Sequence, residues 1–80
     1  MMGYKVTLTY IHHPPERSRP DEIFTAWDLS HVCAKALEFW KDGDVLVNIK
    51  MTSLETDYTV VDYLCDYMEL SDLARGAKTT

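Results

Sequence analysis

The sequence predicts a small α+β domain, in which a three-stranded antiparallel sheet carries two helices on one face in the order ββαβα. Three observations favour this class. Apolar and polar residues alternate over residues 4–12 and 45–51, as in strands with one buried face. Apolar residues recur at helical spacing over 30–42 and 57–75. A chain of 80 residues with 46% hydrophobic and 26% charged content suits a single globular domain over residues 1–80.

The first strand is predicted from Tyr4 to His12. Val6, Leu8 and Tyr10 would face the core, while the residues between them would face solvent. His13 to Pro20 contains three prolines, two arginines and a serine. Because proline removes backbone donors and restrains its neighbours, this stretch is predicted to be a loop.

Residues 21–42 allow two interpretations. A single helix would suit Pro20 near its first turn, with two acids following. The apolar face of residues 30–42, however, would place Ile23, Phe24 and Trp27 on the polar side when extended backwards. The split is therefore preferred: Glu22 to Asp28 forms a second strand in a hairpin with the first, Ser30 is the N-cap, and residues 31–42 form the helix.

Gly43 is predicted to end this helix at its C′ position, and the third strand follows. Its inward residues would be Val45, Val47, Ile49 and Met51. A right-handed crossover would return it parallel to the second strand and beside the first, giving the order 2-1-3. The face without helices would then be wet, and would carry Lys5, Thr7, Thr9, Asn48 and Lys50.

One long helix with three distinct faces is predicted from Asp57 to Arg75. Its core face would consist of Tyr58, Val61, Leu64, Cys65 and Met68. An acidic row beside that face would contain Asp62, Asp66 and Glu69. A second row, one residue further round, would contain Tyr63, Tyr67 and Leu70. Tyrosine is favoured at interfaces because it combines a large rigid area with a polar tip, so the two outer rows are predicted to bind a partner protein.

The net charge of −5 arises entirely from the second half of the chain. Residues 1–41 contain five bases and five acids, whereas residues 42–80 contain eight acids and three bases. Nonspecific binding of nucleic acid needs the opposite charge, so direct nucleic-acid binding is not expected. The sequence lacks both a signal peptide and an apolar run long enough for a membrane span, which leads us to expect a cytoplasmic protein.

The residues that could bind a metal, bind a phosphate or take part in catalysis form no recognisable motif. Metal-ligand spacing is absent among His12, His13, His31, Cys33 and Cys65, and the two cysteines are expected to be reduced. The three glycines make no phosphate-binding loop, and no catalytic constellation is recognisable. We therefore expect a protein that is not an enzyme and that needs no metal or cofactor.

These observations favour a non-enzymatic acidic module that docks on a basic, nucleic-acid-binding protein surface as an inhibitor or regulator. Small acidic inhibitors encoded by phages and mobile elements, such as inhibitors of CRISPR defence, share this size and charge, and they would act in the host cytoplasm. The alternative is a small nucleic-acid-associated regulator, as a homodimer for example, that acts through the basic loop containing Arg17 and Arg19.

Overall fold

A computed structural model describes residues 3–13 and 19–76 of the chain. The elements follow the order ββαββα. They are β1 (Tyr4–His12), β2 (Glu22–Ala26), α1 (Leu29–Phe39), β3 (Asp44–Ser53), β4 (Thr59–Cys65) and α2 (Tyr67–Gly76). The strands form one sheet in the order β2-β1-β3-β4, and every neighbouring pair is antiparallel. The α+β class, the antiparallel sheet and the presence of two helices are confirmed. The predicted number of three strands was wrong, because a fourth strand extends the predicted order 2-1-3 beyond β3.

The hairpin between β1 and β2 confirms the split of residues 21–42. Val6 lies opposite Phe24 in this hairpin, and Thr7 lies opposite Ile23. The predicted N-cap was wrong by two residues, because the Asp28 carboxylate accepts the backbone N–H of His31 and the helix begins at Leu29. Asp28 satisfies an amide that has no partner within the helix, which is the role of an N-cap side chain.

The predicted position of Gly43 was also wrong, although its unusual backbone has a clear cause. The helix ends at Phe39, with Trp40 as its C-cap, and Gly43 lies in the following turn with φ of 95°. A Cβ atom at this position would collide with the His12 ring. Glycine therefore suits position 43 for two reasons: φ is positive, and the His12 ring lies too close for a Cβ atom.

The core lies between one face of the sheet and the two helices. Val6, Leu8 and Ile49 are completely or almost completely buried on that face, and Val32 and Leu70 cover them from α1 and α2. Lys5, Thr9 and Lys50 on the opposite face are exposed, as predicted. The second predicted helix is the main error. Its first half is the strand β4, which pairs with β3 from Val47 opposite Cys65 to Thr52 opposite Thr59.

Candidate functional site

The residues predicted to bind a partner lie on two elements instead of one helix. Asp62 and Tyr63 belong to β4, Asp66 joins the two elements, and Tyr67, Glu69 and Leu70 belong to α2. We call β4, Asp66 and α2 together the β4–α2 corner. The single acidic row along one helix face was therefore wrong, although the same stretch of chain still forms one corner of the molecule.

Two adjacent site residues on β4 are separated by the sheet. Tyr63 lies opposite buried Ile49 and so shares the helix-covered face. Asp62 lies opposite exposed Lys50, on the open face, and accepts a hydrogen bond from Asn48 Nδ2 at 3.0 Å. Because successive side chains on a strand point to opposite faces, Asp62 and Tyr63 cannot contact one partner side chain together.

Asp66 has a structural role that the sequence signalled. Its side chain accepts the backbone N–H of Glu69 at 2.8 Å, and its carbonyl accepts the N–H of Leu70 at 2.9 Å. These bonds make Asp66 the N-cap of α2. An acid followed three residues later by glutamate resembles the capping-box spacing, and that signal marks the start of a helix at Tyr67.

Tyr63 and Glu69 connect the two elements. The Tyr63 hydroxyl donates to Glu69 Oε2, so the side chain on β4 is tied to the first turn of α2. This hydrogen bond to the carboxylate is the main cause that raises the pKa of Tyr63 above its usual value. The phenol therefore remains a donor at neutral pH, and 45% of the residue is exposed.

Of the two remaining site residues, only Tyr67 is accessible. Tyr67 is 52% exposed and packs edge-on against Trp40, with ring centroids 5.2 Å apart. Leu70 is 0% exposed and belongs to the core. The predicted surface position of Leu70 was therefore wrong, because the helix begins at Tyr67 and turns Leu70 towards the sheet.

A cavity of about 240 Å³ lies between the helices and the sheet beside β4. Its lining is apolar and consists of Leu29, Ile49, Val61, Tyr63 and Leu73. Two of these residues, Val61 and Tyr63, come from β4 itself. The cavity therefore adjoins the outermost strand of the sheet, where a bound chain could reach it.

A buried polar cluster around Asp44 was not predicted. Asp44 Oδ2 accepts hydrogen bonds from Arg19 Nη2 at 2.7 Å and from the Lys41 N–H at 2.8 Å, while Oδ1 lies 3.1 Å from His12 Nδ1. The Arg19 guanidinium also donates to the Phe39 carbonyl and stacks over the Tyr10 ring at 4.0 Å. We call these residues the Asp44 cluster.

The polar contacts of Arg19 are thus made within the protein. Its side chain is only 14% exposed, and it also forms an ion pair with Glu22 at 3.3 Å. Arg17, the other base of the predicted nucleic-acid loop, lies outside the described residues. The arginine that is described is therefore poorly placed to bind a phosphate.

The described parts of the chain contain few other groups that could bind a metal or react. Over residues 3–13 and 19–76, no three His, Cys, Asp or Glu side chains are grouped closely enough to hold a metal ion. Cys33 and Cys65 are free and buried, and burial is the main cause that raises the pKa of Cys65 to about 11. Neither described helix is long and apolar enough to cross a membrane.

Comparisons with protein-family models, with curated proteins and with solved structures found no match for this chain.

Proposed function

We propose that this protein is a non-enzymatic acidic module that binds a basic surface on a partner protein. One observation carries the proposal. Six acids and no base lie between Met51 and Ala74. Four of these acids lie on the β4–α2 corner, and three of the four, Asp62, Asp66 and Asp72, are exposed. The one base of the corner, Arg75, forms an ion pair with Asp72 at 2.6 Å. A concentrated field of one sign speeds the encounter with a partner of the opposite sign and selects against partners of the same sign.

Exposed apolar groups on the same corner supply the contact area that charge alone does not provide. Val60, Tyr63, Leu64, Tyr67 and Met68 are between 45% and 75% exposed. Interfaces combine aromatic and apolar anchors with a polar rim, and the charged rim contributes more to association rate than to affinity. This combination favours protein binding over a purely solubilising acidic surface.

A basic surface that binds nucleic acid is the target class that best matches the charge. A small acidic protein on such a surface excludes the phosphate backbone and so acts as an inhibitor. Inhibitors from phages and mobile elements, CRISPR inhibitors among them, are the class analogy, since CRISPR effectors hold their heteroduplex in a positively charged channel. The alternative, a nucleic-acid-associated regulator acting through Arg17 and Arg19, has less support because Arg19 is bound within the Asp44 cluster.

The proposal is tested with partners captured from nuclease-treated extract and then purified. We expect partners with a basic surface, binding that weakens as salt rises, and competition by added nucleic acid. The variant Asp62→Lys with Asp72→Lys should weaken binding by about tenfold or more. Glu38→Lys on α1, where the side chain is 69% exposed, is the control and should bind as the wild type does.

Two results would contradict the proposal. Unchanged affinity of the double lysine variant would show that the acids do not contribute to docking. Retention of DNA or RNA by the purified chain, without a partner protein, would favour the alternative function.

A further inference from the structure

The strand β4 has a free edge. It ends the strand order, so only β3 pairs with it among the described residues. Five of its seven residues are exposed, and they lie on both faces of the sheet. Its outer backbone N–H and C=O groups are therefore available to another chain, which is the requirement for strand addition.

This edge has few of the features that usually protect an edge strand. Natural edges are blunted by lysine, by proline, by a β-bulge, by very short length or by a covering element. The pairing with β3 shifts register once, between Thr59 and Val61, and is regular from Val61 to Cys65. Residues 59–65 contain neither lysine nor proline, and Asp62 is their only charge. Val60 and Leu64 are 52% and 48% exposed, and Leu64 lies on the open face opposite Asn48. A long apolar edge favours aggregation, so its presence here suggests that a partner covers it.

The helix-covered side of the edge offers a place for an apolar side chain. The cavity of about 240 Å³ is lined there by Val61, Tyr63 and Leu73. An apolar cavity of about 150 Å³ accepts benzene in another protein, so this cavity is large enough for an aliphatic or aromatic side chain. Every second residue of an added strand would point to this side.

The open side of the edge favours a cation. Asp62 already has Lys50 as its inner neighbour on β3, and its outer side faces the free edge. A basic residue on the added strand would complete a row of alternating charges across three strands, and opposite charges directly across strands are stabilising. A second copy of this chain would bring another net charge of −5, so it fits the edge less well.

We propose that β4 binds an extended segment of a basic protein as a fifth strand of the sheet. Alternate residues of the segment are apolar and point towards the cavity, and the residue between them that lies beside Asp62 is basic. This inference rests on the proposed function and specifies how the docking occurs.

A defined peptide tests the inference directly. The probe is a capped seven-residue peptide that alternates lysine with valine or leucine, titrated into the isotopically labelled protein and followed by amide chemical shifts. We expect shift changes concentrated on residues 59–65. A peptide of the same sequence with N-methyl groups on alternate amides cannot form the ladder, and we expect its binding to be weaker by about tenfold or more.

Two further comparisons separate this inference from the proposed function. Asp62→Lys should weaken binding of the peptide, whereas Glu55→Lys has the same change in charge outside β4 and should not. Strand addition is overturned if the N-methylated peptide binds as tightly as the unmodified peptide, or if no lysine peptide binds. Neither result decides the proposed function, which is tested separately with the captured partner. Equal binding of a peptide with glutamate in place of lysine overturns the proposed function itself.

Discussion

Asp44 shows how one buried carboxylate can connect a helix end, two strands and the residues before a third strand. Its partners are Arg19 before β2, the Lys41 amide after α1, and His12 at the end of β1. Burial acts to raise the pKa of Asp44, but the hydrogen bonds from Arg19, Lys41 and His12 outweigh it and hold the pKa below its usual value. The cluster is therefore built around an ionised carboxylate.

The depressed pKa of Asp44 predicts a loss of stability in acid. A carboxyl group with a lower pKa in the folded state stabilises the protein above its unfolded pKa of about 3.9, and this contribution disappears as pH falls through the folded value. Asp44→Asn should cost about 3 kcal/mol at pH 7, because it removes the closer and more deeply buried of the two carboxylates that pair with Arg19. Its unfolding free energy should then change less than that of the wild type between about pH 4 and pH 2.

Urea unfolding at several pH values measures both effects. Asp42→Asn is the matched control, since Asp42 is exposed two residues away, and it should behave as the wild type does. If Asp44→Asn kept the full acid dependence of the wild type, the carboxylate would not be the group responsible.

At the scale of single elements, α2 depends on the side chain that precedes it. Asp66 caps the first turn, so Asp66→Ala should destabilise the protein by about 1 kcal/mol, while Asp66→Asn should retain most of the stability. Asp72→Ala removes an equally negative side chain from the exposed surface of the same helix and should cost within about 0.5 kcal/mol. Thermal or urea unfolding of the three variants measures the difference.

A cost for Asp66→Ala no greater than that for Asp72→Ala would refute the cap. The cap also decides which residues are suitable for docking tests. Asp66→Lys would remove a helix cap as well as a surface charge, so a loss of binding in that variant would be ambiguous. Asp62 and Asp72 avoid this problem.

Three of the four strands and the first helix could be predicted from the spacing of their apolar residues. The alternation of Val6, Leu8 and Tyr10 is typical of a strand, and the change of phase near Asp28 favours a break over one continuous helix. Val45 was an exception. The register between β1 and β3 shifts between Ile11 and His12, so Asp44 turns inward and Val45 is exposed. Such a shift depends on the pairing of two distant strands and leaves no periodic signal in either.

The fourth strand was missed because the spacing of its apolar residues fits both the helical period of 3.6 residues and the strand period of two. Val61 and Cys65 are four apart, as on a helix face, but Val61, Tyr63 and Cys65 also alternate. The neighbouring Thr59, Val60 and Val61 favour a strand by β-branching, and Asp66 with Glu69 marks the real start of the helix. Pairing with β3 stabilises the strand. Of the predicted site residues, only Leu70 changed from surface to core.

At the scale of the whole molecule, net charge and the free edge of β4 have opposite effects on self-association: the charge opposes it and the edge favours it. The chain carries a net charge of −5 at neutral pH and has an isoelectric point of about 4.9. Repulsion between copies keeps apolar edges apart near pH 7, and it vanishes as the net charge approaches zero. The ionised Asp44 still stabilises the fold near pH 5, because its hydrogen bonds hold its pKa below the usual value of an aspartate carboxyl group.

These two effects predict reversible self-association near pH 5 through β4. Sedimentation velocity should show a monomer at pH 7 and concentration-dependent association near pH 5, with circular dichroism confirming that the protein remains folded. Leu64→Lys places a charge on the β4 edge and should suppress the association. Ile23→Lys makes the same change in charge at a 62% exposed apolar residue on β2, the opposite edge, and should leave the association intact. Equal suppression by the two variants would assign the effect to net charge alone, and suppression by Ile23→Lys only would assign it to the β2 edge.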